Sequence, residues 1–248
     1  MSNIILGLKF VFSYFSVLPV SFKKDDDVSK KEVLNYTVFF LPLVGLVLGI
    51  ITILLFSLLD SIPLLASIIA TCVYFVLYGF IHTEAILDVV DAIYARHSGK
   101  DAYKIIKEPT VGAIGVLYSL IFVVLKIVGF AYLLYHGYLL ELLAILIISR
   151  LSVQFTIYFS KFKSSFVTLM ADSFTPKSFL TSIIVFSFLV FLLADFSFLL
   201  FIPIAFLLAL CITVFLKKAL GFLNGDVLGF VLESIEILIA FGVCFLWV

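Results

Sequence analysis

Seven stretches of the chain stay apolar long enough to cross a bilayer, and the polar residues are confined to the segments between them. The runs cover about 34–59, 62–81, 111–135, 138–159, 178–195, 197–216 and 227–248. An apolar helix needs roughly 17–25 residues to span the hydrocarbon core. Another helical stretch, about 3–19, has Lys9 in mid-run and ends at Pro19. It is expected to lie in the interface or to re-enter the membrane, not to span it. Three connections are very short, near Asp60, His136–Gly137 and Asp195–Phe196, and predict tight helical hairpins. Four are longer and polar: 20–33, 82–110, 160–177 and 217–226. The expected fold class is all-α. It is a polytopic integral membrane protein with about seven transmembrane helices and an N-terminal interfacial or re-entrant helix, forming one membrane-embedded domain over 1–248.

Composition agrees. The chain is 64% hydrophobic and 13% charged, with a mean hydropathy of +1.31, whereas soluble domains are about 45–50% apolar and about 25% charged. Net charge is zero, which gives nucleic acid no electrostatic footprint. Cys72, Cys211 and Cys244 lie far apart inside apolar runs and read as small buried hydrophobes. The N-terminus does not resemble a cleaved signal peptide: Lys9 interrupts the first run and no small-residue cleavage site follows.

The distribution of cations orients the chain. Of sixteen Lys and Arg, thirteen fall in the four longer connections; the others are Lys9, Lys126 and Arg150, within apolar runs. The short turns hold none and carry Asp60, Glu141 and Asp195 instead. With seven spans all four long connections share one side. The positive-inside rule makes that side cytoplasmic, with the N-terminus inside, the C-terminus outside and the protein in the cell (inner) membrane.

Segment 82–110 carries the most chemistry. Glu84, Asp88 and Asp91 stand at i, i+4 and i+7, on one face of a helix whose other face is apolar. Stacked carboxylates repel. A divalent cation relieves the repulsion, and Mg²⁺ prefers carboxylate oxygens together with substrate phosphates; a solvated acidic face is the plainer alternative. Lys107 and Glu108 precede Pro109, which can start the next helix. Glu108 can join the carboxylates, Lys107 can hold a phosphate, and Gly112 and Gly115 permit close approach. Further on, Asp226 can cap the last span, with Glu233 two turns deeper on the same face and Glu236 beyond it. Carboxylates inside a span mostly face a polar interior or a ligand; pairing with Lys126 or Arg150 is the structural alternative. His82 can orient a carboxylate or aid proton transfer. No Walker loop, zinc spacing or nucleophile elbow is present, which points to positioning and charge neutralisation, the logic of phosphoryl or nucleotidyl transfer.

Three blocks then resemble a known family. Gly79-Phe-Ile-His82-Thr-Glu84-Ala-Ile-Leu-Asp88-Val-Val-Asp91-Ala92 is similar to G-L-H-x-D-G-x-x-D-x-x-D-[AG]; Ile106-Lys107-Glu108-Pro109-Thr110-Val111-Gly112-Ala-Ile-Gly115-Val116 to I-M-K-D-S-x-x-G-x-x-G-V; and Gly221-Phe-Leu-Asn224-Gly225-Asp226-Val-Leu-Gly229-Phe-Val-Leu-Glu233 to G-G-x-T-G-D-x-L-G-A-x-x-E. Tyr14–Val20 and Phe39–Gly45 add weaker matches. Together the blocks resemble the cobalamin synthase family, the adenosylcobinamide-GDP ribazoletransferases. Glu84 and Glu108 stand where the family has Asp, Val17 where it has Arg, and Ala85 where it has Gly. The resemblance implies a transferase that joins adenosylcobinamide-GDP to α-ribazole or α-ribazole 5′-phosphate with Mg²⁺ and releases GMP. It implies a catalytic set of His82, Glu84, Asp88, Asp91, Lys107 and Glu108, with Glu84, Asp88, Asp91 and Glu108 as metal ligands. Arg96, Arg150, Asn224, Gly225, Asp226 and Glu233 are expected to bind substrate. The expected partners are these small molecules and the lipid bilayer, with a homo-oligomer left open. Two alternatives stand beside it. Asp88-x-x-Asp91-Ala92-x-x-Ala95-Arg96 resembles half of the CDP-alcohol phosphotransferase motif, whose second half is absent because Ile105 stands where its Gly belongs. The intramembrane charges also fit a transporter pathway, although no inverted repeat is visible.

Overall fold

The computed structural model of the chain describes residues 2–59, 61–108 and 110–247, and these contain helices and no strand. The turn expected near Asp60 and the helix start expected at Pro109 lie outside the described residues. In chain order the helices are α1 (Asn3–Phe15), α2 (Lys31–Phe39), α3 (Leu41–Leu58), α4 (Pro63–Leu77), α5 (Ile81–His97), α6 (Ala102–Ile105), α7 (Ala113–Tyr135), α8 (Leu139–Phe159), α9 (Ser165–Ser173), α10 (Pro176–Leu193), α11 (Phe201–Leu220, entered by a 3₁₀ turn at Ser197–Leu200) and α12 (Gly225–Trp247). Six are long and apolar enough to cross a membrane, or seven if the bent pair α4–α5 counts as one. Helix α1, at 13 residues, is too short to span.

The expected span 34–59 is two helices. Pro42 has no N–H to give the carbonyl of Val38, and the amide of Leu43 bonds the carbonyl of Phe40 instead of continuing the α-pattern. The helix therefore breaks at Phe40. In hydrocarbon the freed carbonyls need partners, and Gln154 of α8 supplies them: its Nε2 donates to Val38 at 2.6 Å and to Phe39 at 3.0 Å. The Gln154 side-chain oxygen accepts in turn from Ser182 of α10 at 2.7 Å. Helix α8 is the hub of the bundle, with a continuous buried run from Leu142 to Gln154, and α3, α10, α11 and α12 pack around it. Most of α10 faces outward, as suits a helix solvated by lipid.

Helix α5 does not continue α4. Gly79 (φ 65°) and Phe80 (φ 57°) both take the left-handed conformation, and α5 leaves at 76°. Glycine adopts that conformation freely and Phe80 does not. Helix α5 then packs across the starts of α7 and α12 and the end of α11. Segment 160–177, expected as a loop, contains α9. The long connections meet at one end of the bundle, as their bonds show: Tyr103 to the carbonyl of Lys163, the amide of Lys163 to Leu223, and the amide of Thr175 to Asn35.

Candidate active site

Helix α5 is held between two helix ends of opposite polarity. Asp91 accepts the amides of Gly112 at 2.6 Å and Gly115 at 2.8 Å, at the N-terminus of α7, where unpaired N–H groups and the helix dipole favour an anion. A Cβ on Gly115 would come within 2.7 Å of the Asp91 carboxyl carbon, and one on Gly112 would also collide with it. The two glycines are what lets the carboxylate reach the backbone. One and a half turns on, Arg96 Nη1 donates to the carbonyls of Lys218 and Ala219 at 3.0 and 2.8 Å, at the C-terminus of α11.

Asp91, expected to ligate a metal, has each carboxylate oxygen accepting one amide of α7. Arg96, expected to bind substrate, has Nη1 at the end of α11. Asp226 was expected to cap the last span. Asn224 does so, accepting from the amide of Val227 at 3.3 Å and donating to Asp226 at 2.5 Å. Asp226 sits in the first turn of α12.

The structure brings Glu84, Asp88 and Asp226 into one electrostatic neighbourhood. Asp88 is half-buried, and its pKa is pushed up to about 7, by burial first and then by the charges of Asp226, Glu84 and Asp91. Such a field is what a cation would neutralise. Among the described residues no three His, Cys, Asp or Glu side chains converge closely enough to hold a metal by themselves. Glu108, expected as a ligand, is exposed on the loop before α7, where Thr110 is its hydrogen-bond partner. Lys107 is also exposed, its ammonium 4.1 Å from the Tyr103 ring; Lys163 covers the same ring at 4.0 Å. Beside them Arg96, Lys100, Lys163 and Tyr103 line a polar surface pocket of about 230 Å³.

Asp226 and His82 also face inward, onto a cavity of about 120 Å³ between α1, α3, α5, α8, α9 and α12. His82 is buried, its ring flanked by Phe15 and Tyr78. Helices α5 and α12 meet closely there because residue 229 is glycine: a Cβ would come within 2.6 Å of that of Ala85. Gly225, expected to bind substrate, forms the cavity wall with Gly229.

Arg150 reaches the same cavity, but its guanidinium is engaged. Nη1 pairs with Glu236, and Nη2 donates to the Tyr74 hydroxyl at 2.8 Å. Lys126 lies 2.9 Å from both carboxylate oxygens of Glu233 and 2.5 Å from Glu236. The rings of Tyr74, Phe75, Tyr78 and Phe130 surround its ammonium at 4.8–5.6 Å. Glu233, expected to bind substrate, is thus committed to Lys126 and is buried.

The description cobalamin-5-phosphate synthase matches residues 7–244. The chain belongs to the cobalamin-5-phosphate synthase family. Among its relatives, an adenosylcobinamide-GDP ribazoletransferase of Clostridium perfringens (strain SM101 / Type A) is 26% identical over 240 residues, 93% of this chain and 94% of that one. One from Clostridioides difficile (strain 630) is 28% identical over 252 residues, 96% and 95%. One from Treponema denticola is 26% identical over 258 residues, again 96% and 95%. No solved structure matches. The match therefore runs from within α1 to within α12 and includes every candidate site residue.

Several of those residues carry no chemical signal of their own. Tyr14, Phe15, Phe166 and Met170 line the cavity, yet in the sequence they are ordinary apolar positions. Phe15 and Tyr14 sit in one of the segments that resemble the family, and that was the only available hint.

Proposed function

We propose that this chain joins adenosylcobinamide-GDP to α-ribazole, or to its 5′-phosphate, giving adenosylcobalamin or its 5′-phosphate and GMP. The observation that carries the reading is the juxtaposition of an acidic group, Glu84, Asp88 and Asp226, with a cavity lined by Asp226 and His82, in a chain matched by the family over residues 7–244. The CDP-alcohol alternative rests on Asp91 and Arg96 as parts of a motif, and both are engaged at helix ends.

Mg²⁺ fits the donor set. It typically takes one or two carboxylates and completes its shell with water and substrate phosphates, so three converging side chains are not required. Asp88 with Glu84 or Asp226 would hold it, and when bound it would supply charge neutralisation at the pyrophosphate. The ribose 3′-hydroxyl attacks the phosphorus bonded to cobinamide. The bond from that phosphorus to GMP breaks, and GMP leaves with the bonding pair. A carboxylate of the acidic group, or His82 on the cavity wall, accepts the hydroxyl proton. Lys107 and Lys163 offer positive charge to the departing phosphate. Asp91 positions α5 and takes no part in the chemistry. Thirteen of the sixteen cations lie in the long connections, which supports a cytoplasmic loop end and site, with the N-terminus inside and the C-terminus outside the cell (inner) membrane.

The test is reconstitution in liposomes with adenosylcobinamide-GDP, α-ribazole and Mg²⁺, following GMP and cobalamin together. Equimolar formation of both, abolished by chelator and restored by Mg²⁺, is the expected result. A folded protein that releases no GMP refutes the transferase, and one indifferent to chelator refutes the metal.

A further inference from the structure

The cavity between α1, α8, α9 and α12 has a composition that the phosphoryl chemistry does not explain. Only Tyr14, His82, Arg150 and Asp226 of its lining carry polar side chains; the rest is aliphatic, aromatic or glycine. Arg150 is already bound to Glu236 and Tyr74. Asp226 and His82 mark the side that adjoins the acidic group, so the cavity is polar where it meets the reaction centre and apolar beyond. At about 120 Å³ it is close to the 150 Å³ engineered cavity that takes up benzene. That is room for one small ring system. Tyr14 and Phe166 stand at its edge with ring centroids 4.9 Å apart, and Tyr14 remains exposed, so α1 and α9 together form the rim.

We propose that this cavity seats the aromatic base of the acceptor nucleoside, a small uncharged heterocycle buried between α8, α9 and α12, with its ribose emerging past His82 and Asp226. The inference rests on the transferase reading and specifies which substrate goes where. The other substrate groups do not fit. A guanine presents donors and acceptors around most of its edge, and burying them against such walls without partners costs several kcal/mol in total. A corrin ring is far larger than the cavity. A flat, largely apolar base matches the lining, and its burial aims the attached hydroxyl at the acidic group. The donor is then left to the other side of the acidic group, with Lys107 and Lys163 as the cations for its phosphates.

The test narrows the wall at a residue with no part in the chemistry. Val153→Phe, on α8, is expected to raise KM for α-ribazole at least tenfold, to leave KM for adenosylcobinamide-GDP within twofold, and to spare kcat at saturating acceptor. Met170→Ala, which enlarges the same wall, is expected to accept ribosides of bulkier bases that the parent rejects. Free benzimidazole is expected to bind the detergent-solubilised parent protein, detected by its own fluorescence, and not Val153→Phe. This arm needs no turnover, so binding without GMP release would overturn the transferase reading while supporting the seat. Unchanged acceptor KM in a folded Val153→Phe protein overturns the seat. So does benzimidazole that competes with the donor. So does a cavity that a spin-labelled acyl chain fills in preference to benzimidazole, which would make it a lipid pocket.

Discussion

Removing Lys126 tests whether the buried charges form one balanced unit. Lys126 and Arg150 face Glu233 and Glu236, two positive charges against two negative, all buried. In Lys126→Met the side-chain volume is nearly kept, but one carboxylate loses its cation in a region that water does not reach. Breaking a buried pair from one side costs about 3–5 kcal/mol. At roughly 2–4 °C per kcal/mol for a chain of this size, the melting temperature of the detergent-solubilised protein falls by about 6–20 °C. The double variant Lys126→Met/Glu233→Gln restores the balance, because Arg150 alone then matches Glu236. It is expected to recover more than half of the loss, a coupling that additive effects cannot produce. Melting is read by tryptophan-independent light scattering or thiol reactivity, with all four members of the cycle in the same detergent. A single variant within 2 °C of the parent, or a double variant no better than the single, would refute the balanced-charge account.

Three further outcomes separate chemistry from scaffolding. Asp88→Asn is expected to lower turnover at least 100-fold and to raise the Mg²⁺ needed for half-maximal activity, whereas Asp91→Asn lowers stability by about 1–3 kcal/mol through a mismatched helix-end bond and leaves the Mg²⁺ dependence unchanged; metal titrations of both variants distinguish the roles. Gly229→Ala forces α5 away from α12 at a cost of about 1–3 kcal/mol and is expected to reduce kcat/KM at least tenfold, with normal activity arguing against close apposition. Gln154→Leu leaves the carbonyls of Val38 and Phe39 unpaired; a loss of about 1–3 kcal/mol each should appear in the melting curve, with little change in KM for either substrate.

The spans were legible because lipid imposes length and apolarity on whichever residues cross it. α8 and α4 begin within a residue or two of the expected boundaries, and α7 two residues later. The break at Phe40 was less legible although Pro42 was in plain view, since a proline ends a membrane helix only where something else satisfies the freed carbonyls. That partner, Gln154, is 116 positions from Val38. Helix α9 was missed because its short amphipathic run packs on α2 rather than standing alone. At the site, the i, i+4, i+7 spacing placed Glu84, Asp88 and Asp91 on one face, but it cannot distinguish an aspartate facing a helix end from one facing a cation. The acidic pattern looks the same until Gly112 and Gly115 arrive from another segment. The cavity was illegible for a different reason. In a membrane protein, a phenylalanine that faces lipid and one that faces a buried substrate are drawn from the same alphabet.

The clasp on α5 carries a consequence for biosynthesis. Arg96 and its partner at Ala219 are 123 positions apart, and α5 packs most extensively on α12. When α5 leaves the ribosome, neither the α11 carbonyls that receive its arginine nor the α12 face that buries its apolar side yet exists. Asp91 can dock on α7 as soon as that helix is made, but the Arg96 end and the apolar face must wait until α11 and α12 are threaded into the bilayer. The nascent chain is therefore expected to stay inert through most of its insertion and to become competent in one late docking event, so that no partly made molecule can engage the nucleotide-activated substrate.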